Sequence, residues 1–72
     1  MISDEMIAIL RDNPQGLKVS QIAYILEPKS CGARLSDLCY LVDREGMKLT
    51  IKGTLTRETV DDESKYIMRQ II

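Results

Sequence analysis

Apolar residues recur every three or four positions along the first 45 residues, which is the spacing of one buried helix face. The pattern predicts helices at residues 3–12, 21–26 and 31–45. A serine stands at the start of each, and serine oxygens commonly accept the free backbone N–H groups of a first helical turn. The predicted N-caps are Ser3, Ser20 and Ser30.

Proline and glycine separate these helices. Asn13-Pro14-Gln15-Gly16 ends the first helix, because proline biases the residue before it away from helix and glycine permits a turn. Leu17-Lys18-Val19 is predicted as a short extended piece. Pro28 disfavours helical backbone at Glu27, so the second helix is expected to end there.

Gly46 is predicted to end the third helix. It follows Arg44-Glu45, and glycine adopts the left-handed backbone of a helix C-terminus at little cost. Met47, directly after it, would then make the hydrophobic contact of a Schellman motif.

Beyond this glycine the apolar period falls from about 3.6 to about 2, which predicts strands. Residues 48–52 alternate polar and apolar side chains, and residues 54–60 can continue that strand after Gly53. The acidic turn 61–64 then leads to a second strand at 66–71, which can return antiparallel to the first.

The composition excludes several kinds of chemistry. The 72-residue chain contains no histidine, so it has neither a catalytic triad with a His base nor a His-ligated metal. Its two cysteines, Cys31 and Cys39, fit neither a zinc spacing nor a disulfide scaffold. The length allows one domain, residues 1–72. We expect no enzyme activity, no cofactor and no small-molecule ligand.

No segment predicts export or membrane association. Residues 1–5 are acidic towards their end and are not followed by the long apolar run of a signal peptide. No stretch approaches the ~18 apolar residues of a membrane helix. We therefore expect a reduced, cytoplasmic protein.

The order of elements is helix, short extended piece, helix, helix, strand, strand, and it resembles a winged helix-turn-helix domain. Residues 18–26 resemble the second helix of that family, with a polar cap followed by Ile22-Ala23 and Leu26. Other residues resemble the end of its recognition helix: Leu35, Leu38, Cys39, Val42, Glu45, Gly46 and Met47. The resemblance implies an α+β fold, with three helices followed by a β-hairpin wing.

Such a domain places its third helix, here residues 31–45, in the major groove of double-stranded DNA. Arg34 is then the best candidate for a bidentate contact with guanine or phosphate. Lys18 and Ser20 can bind backbone phosphate at the start of the second helix. The flank of the wing is expected to carry Lys48, Lys52 and Arg57. The predicted DNA contacts are Lys18, Ser20, Ser30, Arg34, Ser36, Tyr40, Lys48 and Lys52.

The formal net charge of −1 is unevenly distributed along the chain. Residues 18–57 contain seven basic and four acidic side chains, a surplus of three positive charges. The flanking segments 1–17 and 58–72 each carry −2. Positive charge therefore falls on the segment that would face DNA, but a surplus of three is too small to hold nucleic acid by charge alone.

Two functions follow from these patterns. The first is a small sequence-specific DNA-binding transcriptional regulator, acting as a dimer or beside a partner because one module of this size covers little DNA. The alternative is a protein–protein interaction module on the same scaffold, without direct DNA binding. The acidic wing tip at residues 61–63 favours this alternative, since DNA-binding wings commonly carry Arg or Lys. Its contact residues would include Met68, Ile71 and Ile72.

Overall fold

The computed structural model describes residues 2–69. This part of the chain forms three α-helices, a 3₁₀ turn at Glu27–Lys29 and three strands. The helices are α1 (Ile2–Arg11), α2 (Val19–Leu26) and α3 (Leu35–Lys52). The strands are β1 (Leu17–Lys18), β2 (Leu55–Val60) and β3 (Glu63–Met68).

The first two helices agree with the predicted positions to within two residues. α1 begins at Ile2, so Ser3 lies inside the helix and is not its N-cap. α2 begins at Val19, and its N-cap is Lys18 rather than Ser20. In place of a serine cap, the Lys18 backbone N–H donates to the side-chain oxygen of Gln21 at 2.9 Å, which is half of a capping box.

The predicted breaks between these helices are confirmed. Gly16 has φ +87°, a conformation that favours glycine, and its N–H donates to the Asn13 carbonyl at 2.9 Å. The turn leads directly into β1. α2 ends one residue before Glu27, and Pro28 lies in the 3₁₀ turn that follows.

The third helix differs most from its prediction of residues 31–45. It begins at Leu35, with Arg34 as its N-cap, because residues 27–33 form the 3₁₀ turn and a loop that includes left-handed backbone at Cys31. It then runs through Gly46 to Lys52, so the predicted strand at residues 48–52 is wrong.

The left-handed C-terminal glycine of α3 is Gly53, at φ +87°, and not Gly46. Met47 therefore lies within the helix and makes no Schellman contact at its end. Gly46 is buried inside α3, where a Cβ would come within 2.5 Å of the Tyr66 ring. The glycine is needed for close packing against that ring rather than for a turn.

Strands β2 and β3 form a hairpin, called the hairpin below, whose two-residue turn is Asp61-Asp62. Both turn residues have positive φ, 52° and 62°, as a type I′ turn requires. The strands pair from Leu55 with Met68 to Val60 with Glu63. The second strand thus begins three residues earlier than the predicted span 66–71.

β3 is the central strand of an antiparallel sheet in the order β1-β3-β2. Pairing of Leu17 with Tyr66 joins β1 to it. The predicted contact residues Ile71 and Ile72 lie outside the described residues, and Met68 packs half-buried against the core.

The core lies between the three helices and one face of the sheet. Its largest fully buried side chains are those of Met6, Leu10, Ile22, Val42, Leu55 and Tyr66. Tyr66 is the aromatic member, and it reaches α3 from the central strand. The resulting small α+β domain is compatible with a winged-helix layout. Among residues 2–69, no helix is long and apolar enough to cross a membrane.

Candidate interaction surface

The outward side of α3 carries a row of four exposed residues, of which three are hydrophobic. Tyr40, Arg44, Met47 and Ile51 recur at intervals of four, three and four residues, so they share one helix face. Ile51 is 85% exposed and Tyr40 is 62% exposed. We call these four residues the outward row. Leu41, also exposed, lies beside it.

The start of α2 is closed by the hairpin. The Ser20 backbone N–H donates to Glu63 Oε1 at 3.2 Å, although the two residues are 43 positions apart in the chain. A carboxylate there compensates the positive end of the helix dipole, which Lys18 at the N-cap does not. The protein's own carboxylate therefore lies where the sequence predicted a DNA phosphate.

Lys18 is also engaged within the molecule. Its Nζ lies 3.1 Å from Asp61 Oδ2 in the hairpin turn. Hydrogen bonds from Ser20, first from its side chain and then from its backbone, lower the pKa of Glu63, and the nearby charge of Lys18 adds to this effect. The two predicted phosphate ligands of α2 thus hold the hairpin turn in place.

An open groove of about 390 Å³ runs between α3 and the hairpin turn. α3 contributes Cys39, Tyr40 and Asp43 to its walls, and the hairpin contributes Asp62, Glu63 and Ser64. Three of these six side chains are carboxylates, and no basic side chain lines the groove. A phosphate backbone entering it would meet like charge.

The hairpin brings acidic side chains next to the segment 18–57, which carries the positive surplus in the linear sequence. The surplus of three positive charges in residues 18–57 excludes Asp61, Asp62 and Glu63. The hairpin returns these three acidic side chains to the start of α2 and to the groove beside α3. They equal the surplus in number, so residues 18–57 together with these three side chains carry no net charge.

Three of the predicted DNA contacts do come together. Arg34 is the N-cap of α3, and Ser36 and Tyr40 are exposed on its first two turns. Ser30 does not cap this helix. Its hydroxyl instead donates to the Glu27 carbonyl at 2.6 Å within the 3₁₀ turn.

The predicted wing-flank residues are dispersed. Lys48 and Lys52 lie on the last turns of α3 and not on the hairpin, because the helix continues through Gly46. An 18-residue helix is about 27 Å long, so Lys52 is far from Arg34. Lys48 lies 3.5 Å from Glu45, and Arg57 donates from Nε to Ser64 at 2.9 Å.

Sequence reasoning missed Met47 and Ile51 as surface residues. It assigned Met47 to a helix-end contact and Ile51 to the same strand face as Leu49. In α3 these two residues lie on different faces of the helix, because Leu49 is 7% exposed and Ile51 is 85% exposed. The available signal was the helical spacing from Tyr40 through Met47 to Ile51, which is visible only when the helix is extended past Gly46.

Glu63→Gln is expected to destabilise the protein at neutral pH, because the charge that compensates the α2 dipole is removed. The folded pKa of Glu63 lies below its ordinary 4.5, so the carboxylate stabilises the fold above that pH and loses this effect as the pH falls through the lowered pKa. Urea denaturation at pH 7 and pH 3 measures the difference between the variant and the wild type, which should shrink at pH 3.

Glu58→Gln is the matched control. It removes a carboxylate from the same hairpin, but one whose ion-pair partner is Lys65 in β3, with Glu58 Oε1 lying 3.6 Å from Lys65 Nζ. Its effect at pH 7 should be smaller than that of Glu63→Gln. Equal effects of the two variants would contradict the capping role of Glu63.

Among residues 2–69, no group of three or more Cys, Asp or Glu side chains is placed to hold a metal ion. Comparisons of the chain with protein-family models, with characterised proteins and with solved structures find no match.

Proposed function

We propose that the chain is a winged-helix domain that acts as a protein–protein interaction module through the outward side of α3. The observation that carries this proposal is the outward row, with Tyr40, Met47 and Ile51 all exposed on one face. Aromatic residues, methionine and arginine are the types enriched in the centres of protein interfaces. An 85% exposed isoleucine in a charged helix is a feature that a binding partner explains.

The charge balance supports the same proposal. The groove between α3 and the hairpin turn is lined by carboxylates. The backbone N–H of Ser20 at the start of α2 already donates to Glu63. DNA binding draws its affinity mainly from neutralised phosphates, and the two predicted phosphate ligands at the start of α2 already bind carboxylates of the hairpin. A protein partner needs no phosphate ligands.

The proposal is tested by placing a photoreactive amino acid at position 51 and irradiating cells of the source organism. We expect a covalent adduct with a protein, and its migration should be unchanged by nuclease. The control places the same group at Tyr24, which is 74% exposed on α2 and lies outside the outward row. No adduct at position 51, or one that disappears on nuclease treatment, would overturn the proposal.

A second candidate function is sequence-specific binding of double-stranded DNA, as expected of a transcriptional regulator. It is favoured by the placement of Arg34, Ser36 and Tyr40 on the exposed first turns of α3. Fluorescence anisotropy with a pool of random duplexes tests it. Under this function, binding weakens steeply with salt and further in Arg34→Ala. Absence of binding at low salt excludes it.

A further inference from the structure

We infer that the partner of α3 is a second copy of this chain, packed antiparallel along the outward row. The inference rests on the protein-interaction function proposed above and names the occupant of the same surface. It is carried by the order of residues along the row and by the order of charges beside it.

The outward row is complementary to itself when reversed. Tyr40 and Ile51 stand at its two ends, at equal distances from a midpoint between positions 45 and 46. A two-fold axis at that midpoint sets Tyr40 of one copy against Ile51 of the other, and Arg44 against Met47. Each exposed apolar side chain then meets a side chain of the second copy, and the aliphatic stem of Arg44 covers Met47 while its guanidinium stays in water.

The charges on one flank of the row select the antiparallel orientation. Asp37 lies in the first turn of α3, and Lys48 lies eleven residues later on the same flank, followed by Lys52 in the last turn. Antiparallel packing brings Asp37 of each copy towards the Lys52 end of the other. Parallel packing would instead align like helix dipoles, and it would place this flank of the two copies on opposite sides of the helix pair. Lys48 remains available, because its contact with Glu45 at 3.5 Å is solvent-exposed and weak.

Analytical ultracentrifugation of the purified chain tests the inference. The apparent mass should rise from 8.2 kDa towards twice that value as the concentration approaches about 100 µM, since one helix pair is a small interface. Ile51→Lys should weaken association roughly tenfold or more. Because Ile51 is exposed, the circular dichroism spectrum of the Ile51→Lys variant should match that of the wild type. Tyr24→Ser, a change at an exposed aromatic on α2, should leave association unchanged.

A charge exchange tests the orientation. Asp37→Lys and Lys52→Asp should each weaken the dimer, and the double variant should restore it, because the pair is then reversed but still opposite in sign. Failure of the double variant to restore association would overturn the antiparallel arrangement. A chain that stays monomeric at about 1 mM would overturn the inference itself. The interaction function would still stand if position 51 gave a nuclease-resistant adduct with a different protein.

Discussion

Gly46→Ala is expected to destabilise the protein by about 2 kcal/mol, although alanine is normally the better helix former by about 1 kcal/mol. The added Cβ would come within 2.5 Å of Tyr66 Cζ and within 2.8 Å of two further ring atoms. The ring cannot move aside easily, because it is fully buried and its hydroxyl donates a hydrogen bond to Asp43. Urea denaturation monitored by circular dichroism measures the change.

The background variant Tyr66→Leu provides the control for this prediction. Leucine lacks the distal ring atoms that the new methyl group would meet. In that background, Gly46→Ala should therefore stabilise the protein by up to about 1 kcal/mol through helix propensity alone. The same substitution thus changes sign with the residue opposite it. Destabilisation of equal size in both backgrounds would contradict the packing explanation.

Tyr66→Ala should reduce the free energy of unfolding to about 0–2 kcal/mol at 25 °C. Truncating a large buried aromatic costs about 3–5 kcal/mol, and a domain of this size has a total stability near the low end of about 5–15 kcal/mol. Tyr66 is fully buried at the centre of the sheet, opposite Leu17 in β1 and Arg57 in β2. Far-ultraviolet circular dichroism at increasing urea concentrations measures the loss.

Tyr66→Phe separates the hydroxyl from the ring. The hydroxyl lies 2.8 Å from Asp43 Oδ1 and 3.1 Å from the Asp43 carbonyl oxygen. Its loss should cost about 1 kcal/mol and leave a folded protein. A loss of stability in Tyr66→Phe as large as that in Tyr66→Ala would show that the hydroxyl, and not the ring, holds the sheet to α3.

The same hydroxyl predicts a loss of stability at alkaline pH. Burial, followed by the hydrogen bond and the charge of Asp43, raises the pKa of Tyr66 from 10.0 to about 12. A raised pKa means that the protonated phenol stabilises the fold fully below pH 10, and that this effect is lost as the pH rises through about 12. Between these values the wild type should lose more stability than Tyr66→Phe does.

Local signals in the sequence were sufficient for the first half of the fold. Pro14, Gly16 and Pro28 act on their own backbone and on the residue before them, so the ends of α1 and α2 were predictable. The acidic turn of the hairpin was predicted at residues 61–64, and the structure narrows it to Asp61-Asp62, since aspartate accepts positive φ more readily than most residues.

The end of α3 was not predictable from local signals. Gly46 followed by the alternating residues 48–52 has the pattern of a helix end and a strand. The helix continues because Gly46 is covered by a ring from residue 66, and Gly53 then supplies the left-handed cap. Since the contact spans 20 positions, no window of the sequence contains both partners.

The residues of the candidate surface likewise fall into those that the sequence placed correctly and those that tertiary contacts placed. Arg34, Ser36 and Tyr40 lie within the helix predicted at residues 31–45, and they stay together at the start of α3 although that helix begins only at Leu35. The pairing of Lys18 with Asp61 and of Ser20 with Glu63 depends on the antiparallel return of the hairpin. Lys48 and Lys52 were predicted on the flank of the wing because the third helix was predicted to end at residue 45, and they lie instead on the last turns of α3.

By itself the sequence determined the kind of protein: a small α+β chain without histidine, with three helices before a hairpin. Composition and helical period suffice for this, because they act through each residue's own chemistry and its near neighbours. The tertiary structure alone decided where the charges and the exposed apolar residues lie. The hairpin places its acidic turn beside the start of α2, and the Tyr66 ring packs on Gly46 within α3, which continues past Ile51. Both results depend on contacts between residues far apart in the chain.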